Sequence, residues 1–181
     1  MKKVTSQNIR KHLRQGGFSM VELGLVLVIS ILLLVGVVRL FSSNSTTSQA
    51  NSLAQDITML VGKVKSAYSG QYANVTNAKL NTGGFFSNYA SLTNTAGVVT
   101  TSLGGGTLTV SSGTVTAAGD SVKYVITQLP DESCLPLVNA LAKTATTVTL
   151  GANTVKAAGA APDPSKITCA NDANTLTFQV Q

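Results

Sequence analysis

Very few residues in this 181-residue chain are equipped for chemistry. It holds one histidine, His12, and two cysteines, Cys134 and Cys169. His12 stands in the basic opening stretch, so the body of the chain has no imidazole for acid–base or nucleophilic catalysis. Two cysteines are too few soft ligands for a zinc site. Asp131, Glu132 and Asp163 lie in loop-like sequence and read as solvated surface. No residue set calls for a cofactor or a metal, and an enzyme is not expected. The one acid in an unusual place is Glu22. It sits near the start of an almost unbroken apolar run within Gly16 to Phe41.

The element that carries Glu22 reads as a helix. Phe18 to Phe41 is 24 residues. At ~1.5 Å per residue it spans about 36 Å, enough to cross a hydrocarbon core of roughly 30 Å. A buried helix of a soluble domain rarely stays apolar on every face for so long. An ionised carboxylate deep in a bilayer costs on the order of 2.5–3.5 kcal/mol or more, so it needs a partner or a function. Two explanations are open. Ser19 and Glu22 are spaced S-x-x-E, a capping box at a helix end where negative charge is favoured. Alternatively, the chain is cut after Gly17. Phe18 then carries a free α-ammonium, and that group, its own or a neighbouring copy's, satisfies Glu22.

The basic leader, Gly17, the aromatic Phe18, Glu22 and the apolar helix together resemble the N-terminus of a type IV prepilin. That resemblance implies a leader cleavage between Gly17 and Phe18 by a prepilin peptidase, and N-methylation of Phe18. It also implies that the apolar helices bundle into a filament core. There Glu22 forms the assembly salt bridge with the Phe18 amine of the adjacent subunit. The motif G-F-S-M-V-E followed by an apolar helix is specific, but it covers only the first quarter of the chain.

The net charge of +6 comes from 13 Lys+Arg against 7 Asp+Glu. Lys2, Lys3, Arg10, Lys11 and Arg14 all precede Gly17, so the remainder is near neutral. Such a remainder is no nucleic-acid footprint. The leader charges read instead as a topology signal that holds residues 1–17 in the cytoplasm. A cleaved secretory signal and an uncleaved signal anchor share that basic start, but the apolar run is longer than a secretory core of 7–15 residues. A 17-residue leader resembles those of the type IVb group.

Four segments follow: a cytoplasmic leader at 1–17, a transmembrane or filament-core half-helix at 18–41, an amphipathic half-helix at 42–70, and a β-rich exported head at 71–181. Ser42–Ser48 is a weak helix former, open to a hinge or to a division into two helices. Beyond it, Leu53, Ile57, Leu60, Val61, Val64, Ala67 and Tyr68 repeat at three and four residues, one apolar stripe. Gln55, Asp56, Lys63 and Ser66 fall on other faces. One helix from about Ser19 to Tyr68 is expected, ended by Ser69-Gly70. No proline falls within it. Gln71–Thr95 reads as loop, with Tyr72, Phe85, Phe86 and Tyr89 as a small cluster over a sheet edge.

From Gly97 the apolar period becomes two. Strands are expected at 98–103, 107–110, 114–117, 122–127, 146–150, 153–156 and 175–180, with short turns that imply antiparallel pairing. Residues 129–143 read as a short helix with Ser133 as N-cap, Pro136 in the first turn, and Leu137, Val138 and Leu141 on its buried side. A long helix followed by short strands is an α+β fold. The resemblance makes it the type IV pilin fold, a long N-terminal helix packed on an antiparallel sheet with a disulfide-bounded C-terminal region.

If the head is exported, Cys134 and Cys169 most simply form one disulfide; two free buried thiols are the alternative. The layout around Cys134 and Cys169 is similar to that of type IVb major pilins, which build toxin-coregulated, bundle-forming and conjugative thin pili. The resemblance then implies a structural subunit that polymerises with itself after cleavage and serves adhesion, aggregation or conjugative contact. Its partners would be the prepilin peptidase, the inner-membrane assembly machinery and the membrane before assembly, with no nucleic acid. It would pass from the bacterial inner membrane to an extracellular pilus. An uncleaved membrane-anchored periplasmic binding protein and a secretion-system pseudopilin are the other readings.

Overall fold

The structure, a computed structural model, describes residues 19–181, with the side chains of residues 39–44 outside the description. The chain divides into two compact units, Met1–Leu40 and Phe41–Gln181.

Helix α1 is continuous over Met20–Ala67. It runs through Ser42–Ser48 without a break, so the weak stretch does not divide it into two helices. Weak helix formers cost only a few tenths of a kcal/mol each, and strong segments flank them. Met20 to Val38 exposes its side chains on every face. From Ala50 the burial narrows to one stripe of Ala50, Leu53, Ala54, Ile57, Leu60, Val61 and Val64. Ala67 is exposed and Tyr68 half-buried, so the stripe stops one turn early.

Asp56 departs from the sequence reading. It is buried, and its Oδ2 accepts from the Ser91 amide at 2.8 Å. A carboxylate holding a backbone N–H of a distant segment needs no amphipathic period, so the helical pattern hid it. Nearby, burial and then the Asp56 charge raise the Tyr89 hydroxyl pKa.

The supposed loop 71–95 is partly ordered into elements. A single 3₁₀ turn, Tyr72–Asn74, precedes α2 at Asn77–Thr82, whose N-cap Thr76 accepts from the Lys79 amide. Strand β1, Leu92–Thr95, follows. Of the expected aromatics, Phe86 is buried and Tyr72, Phe85 and Tyr89 are partly buried against the core, with the Phe85 ring 5.9 Å from that of Tyr68.

The other strands are β2 Val98–Thr101, β3 Thr107–Thr114, β4 Ala118–Leu129, β5 Thr147–Leu150, β6 Asn153–Lys156 and β7 Asn174–Val180. They form one antiparallel sheet in the order β1-β2-β3-β4-β7-β5-β6. Residues 115–117 are the β3–β4 turn, not a strand. Alternation puts Val122, Tyr124 and Ile126 of β4, and Leu176, Phe178 and Val180 of β7, into the core. Tyr124 stands opposite Phe178, ring on ring at 4.8 Å. β4 bulges between Ile126 and Leu129, where Gln128 takes a φ of 52°. Gly106 lies against that bulge; a Cβ there would collide with the Thr127 carbonyl.

Helix α3 spans Asp131–Leu141 and buries Ser133, Cys134, Leu137, Val138 and Leu141. It starts earlier than expected. Pro130 is the N-cap, so Pro136 falls in the second turn and Ser133 is not the cap. The Ser133 hydroxyl instead donates to the Pro130 carbonyl at 2.9 Å. The far end is closed by Lys156, whose Nζ donates to the Ala142 and Ala145 carbonyls at 2.8 and 2.6 Å.

Cys134 and Cys169 are bonded, with Cα atoms 6.2 Å apart. The chain-entropy model assigns a closed loop of this length roughly 3.5–4 kcal/mol, against a typical stability of about 5–15 kcal/mol. Replacing both cysteines with serine should therefore lower the unfolding free energy by a few kcal/mol. Denaturant melts of the two chains check this, and equal midpoints would contradict it.

The β3–β4 turn is closed by Asp120. Its carboxylate accepts from the Val115, Thr116 and Ala117 amides at 2.7–2.8 Å and from the Thr116 hydroxyl at 2.6 Å. The Thr116 hydroxyl, then the backbone amides, hold its pKa well below the usual carboxylate range. A native pKa below the unfolded value of about 3.9 gives stability that is complete above that value. It is lost as pH falls through the lowered native pKa. The Val115–Ala117 amides should thus stay protected from hydrogen exchange while ordinary carboxylates protonate. Asp120→Ala should expose them at neutral pH, and unchanged exchange in that variant would count against the latch.

Candidate functional site

Glu22 lies in the first turn of α1 and is exposed. Ser19 stands just before the helix. Its hydroxyl accepts from the Val21 amide at 3.3 Å, and its carbonyl accepts from the Leu23 amide at 3.1 Å. Ser19 acts as a simple N-cap on the second helical residue, Val21, and the reciprocal capping box with Glu22 does not form among the described residues. Among the described residues no cation pairs with Glu22. Gly17 and Phe18, the expected cleavage and pairing residues, lie outside the described residues.

The helix around Glu22 has the length and composition to cross a membrane over Met20–Val38. Its interior polar group is satisfied locally, as Ser30 donates to the Val26 carbonyl at 2.8 Å. A hydroxyl bonded this way adds no unpaired polar group to an apolar span. Glu22 is the only ionisable residue between Met20 and Val38. The arrangement is thus a long, exposed apolar helix with a single negative charge in its first turn.

In the head, the structure brings the two expected disulfide residues together and adds partners the sequence reading missed. The Asp131 amide donates to Asp172 Oδ1 at 2.9 Å, and the Asp172 amide returns a bond to Asp131 Oδ1 at 3.1 Å. Asn174 Nδ2 donates to Asp131 Oδ1 at 2.7 Å and to the Leu129 carbonyl at 3.0 Å. Asp131 is therefore half-buried and clamped, not solvated surface. Asp172 supplies the side-chain acceptor that Pro130 lacks at the start of α3. Its reach across 41 residues leaves no local spacing to find. Asp163 accepts from the Ser165 amide and hydroxyl, which lower its pKa. Glu132 is exposed, as expected.

Residues 47–181 match the protein-family model described as PilS N terminal. No curated protein matches the sequence. Among solved structures, the chain is similar to the crystal structure of TcpA, a type IV pilin from Vibrio cholerae El Tor biotype. That likeness has a TM-score of 0.55 at 13% identity and covers 75% of this chain and 100% of that one. A type IV b pilin from Salmonella typhi aligns over 76% of this chain and 99% of that one, at 16% identity and a TM-score of 0.48. At such identities a likeness bears on the fold alone, and only the first is strong enough to carry weight. The family match spans the whole head and the amphipathic part of α1, so this chain belongs to the PilS family, with the fold of a type IV pilin.

Proposed function

We propose that the chain is the structural subunit of a type IVb pilus. The reading rests chiefly on one observation, the fully uncovered apolar helix Met20–Val38 with Glu22 in its first turn, in a member of the PilS family. A prepilin peptidase removes residues 1–17 by cutting between Gly17 and Phe18, and Phe18 is N-methylated. The precursor waits in the inner membrane, where lipid covers the apolar helix. The assembly machinery then moves it into a homopolymer, where other copies cover the same surface.

Lipid tails are as apolar as leucine, so this exchange gains little from the hydrophobic effect and depends on packing and on polar pairs. Glu22 supplies such a pair. Its carboxylate takes the Phe18 ammonium of the adjacent subunit, and both charges are then neutralised in an apolar core. The pair fixes the axial register, because any other register leaves two buried charges alone. The finished filament is extracellular and serves adhesion, aggregation or conjugative cell contact. This work is structural, and no catalytic group is needed.

Gly17→Leu should leave a full-length precursor in the membrane, and mass spectrometry of the recovered protein reads this directly. Mature protein starting at Phe18 in that variant would refute the cleavage assignment. Glu22→Ala should be cleaved normally but assemble at least about tenfold less filament, since an ammonium left unpaired in an apolar core costs several kcal/mol. Sheared-filament yield measures it. Wild-type yield from Glu22→Ala would remove the pairing role, and a wild-type chain that keeps Met1 would remove the polymer reading altogether.

A further inference from the structure

Strand β7 holds the sheet of the head together, and its two ends are fastened by different means. β4 pairs with β3 and β7, and β5 pairs with β6 and β7, so among the described strands β7 alone joins the two halves of the sheet. Its entry end is fixed covalently by the Cys134–Cys169 disulfide, and Asn174 is bonded there to Asp131 and to the Leu129 carbonyl. Its exit end, Gln179–Gln181, has no covalent fastening of this kind. Hydrogen bonds hold it, and four of the five that involve a side chain lie at exposed positions.

Those bonds reach several other segments. The Gln179 side chain crosses β4 to reach β3: its Oε1 accepts from the Ser121 hydroxyl and from the Thr114 amide, each at 3.0 Å. The Gln179 carbonyl accepts from the Thr146 amide at 2.8 Å. The Gln181 amide donates to Thr146 Oγ1 at 3.3 Å, its Nε2 donates to Asp120 Oδ2 at 2.9 Å, and its carbonyl accepts from Lys65 Nζ. Asp120 is the acid that closes the β3–β4 turn, so one carboxylate serves both the turn and the strand end. Gly113 makes room for the crossing side chain. A Cβ there would stand 2.5 Å from Gln179 Oε1 and 2.7 Å from the Ser121 hydroxyl. Gly113 has no positive φ, so crowding and not backbone conformation calls for glycine.

Little apolar burial opposes opening at this end. Val180 is the one apolar side chain of Gln179–Gln181, and it stands opposite Val122. One residue farther in, Phe178 is fully buried and stacked on Tyr124 at 4.8 Å, and Leu176 is fully buried opposite Ile126. An exposed hydrogen bond exchanges for one to water at small net cost, whereas uncovering a stacked aromatic ring forfeits its whole burial. Opening from the exit end is therefore cheap as far as Gln179 and costly beyond it.

We propose that β7 is a strap, hinged at its disulfide end and closed at the other by a clasp. In that clasp Gln179–Gln181 and the β3–β4 turn, Val115–Ala117, open and close as one unit. Seating of the strand is thereby transmitted to a turn outside the pairing of β7, through Gln179 to Thr114 and through Gln181 to Asp120. Lys65 brings the end of α1 into the same unit, since it grips the Gln181 carbonyl. When the clasp is open, the ends of β4 and β5 at Val122 and Thr147 lose their partner and present a free backbone edge. When it is closed, that edge is hidden. The unit belongs to the low-stability end of the structure, where segments open without the rest of the fold. It concerns the head by itself and stands whether or not the chain polymerises.

Native-state hydrogen exchange of the full-length, disulfide-bonded chain in detergent tests the clasp. Gln179→Ala removes both crossing bonds and should speed exchange of the Val115–Ala117 amides about tenfold, although Gln179 bonds to none of those amides. Gly113→Ala should do the same by displacing the Gln179 side chain. Lys65→Ala should speed the turn about threefold, acting through Gln181, and because Lys65 is exposed this variant folds even where Gly113→Ala does not. In each variant the amides of residues 174–178 and of α3 should keep wild-type rates, which also reports an intact head. Turn amides at wild-type rates in Gln179→Ala would overturn the coupling. Faster exchange at residues 179–181 beside an unchanged turn in Lys65→Ala would show two separate units and overturn it as well. Acceleration spread evenly over β4, β5 and β7 would mean that the exit end opens only with the whole head, and the strap would then be ruled out.

Discussion

Apolar surface that the chain does not itself cover is the constraint from which the rest follows. Every large apolar side chain from Met20 to Val38 is at least 47% exposed. Covering such a side chain fully gains about 1.5–3 kcal/mol, so the segment as a whole stands to gain tens of kcal/mol. Typical folding stabilities are about 5–15 kcal/mol, so water is not a tolerable home for it. In the proposed function, lipid and then other copies of the same helix supply the cover. Helix α1 meets this demand in its first half and a different one in its second, where only one stripe is apolar. A single unbroken helix serves both because no proline interrupts it and its hydroxyls bond their own backbone.

The head is arranged around its last strand. β7 lies between β4 and β5, so the sheet is continuous only once the C-terminal residues are in place. Its point of entry is fixed twice. Cys169 is bonded to Cys134 five residues before β7 begins, and Asn174, the first residue of β7, is bonded to Asp131 and Leu129. Both fastenings grip the junction of β4 with α3. The bulge at Gln128 turns the chain out of the sheet there, and Gly106 lets the β2–β3 connection come close enough to cover it. A covalent link and a set of charge-assisted hydrogen bonds thus act on the same few residues, one limiting the unfolded chain and the other ordering the folded one.

Periodic features were legible in the sequence, and features that depend on distant partners were not. The apolar stripe of α1, the alternation of β4 and β7 and the buried side of α3 follow from spacing alone, and each is present. β1 was missed because its hairpin uses Ala96 where Asn-Gly or Asp-Gly would have signalled a turn, and its exposed residues are Thr and Asn. α2 is only six residues long, below what periodicity resolves. The start of α3 was misplaced because Ser133 looks like a cap, yet the acceptor that serves Asp131 is Asp172, which folding brings from the other end of the disulfide loop. Asp56 and Asp131 were read as surface because acids usually are. Their burial comes from tertiary amides that no local pattern announces. The Glu22 environment had two readings in the sequence, a capping box with Ser19 and a charge paired with the Phe18 amine; the first does not form, and Phe18 lies outside the described residues.

Low charge in the head has its own consequence. Only 11% of the chain is charged, and much of the surface is Thr, Ser, Asn, Gly and Ala. Burying an ionised side chain against a neighbour costs several kcal/mol unless it is paired, whereas a hydroxyl or amide can exchange water for a partner at small net cost. A surface of the second kind can be covered over wide areas with little penalty and little specificity. Register must then come from a few strong features, and the head has few to offer. Its carboxylates are largely engaged by backbone amides that hold turns and loop ends. The few charges that remain exposed and unengaged among the described residues of the head, Glu132, Lys79 and Lys143, therefore carry more orienting weight than the same residues would on a densely charged protein. Under the proposed pairing the same economy would give Glu22 its weight, since it is the only ionisable residue between Met20 and Val38.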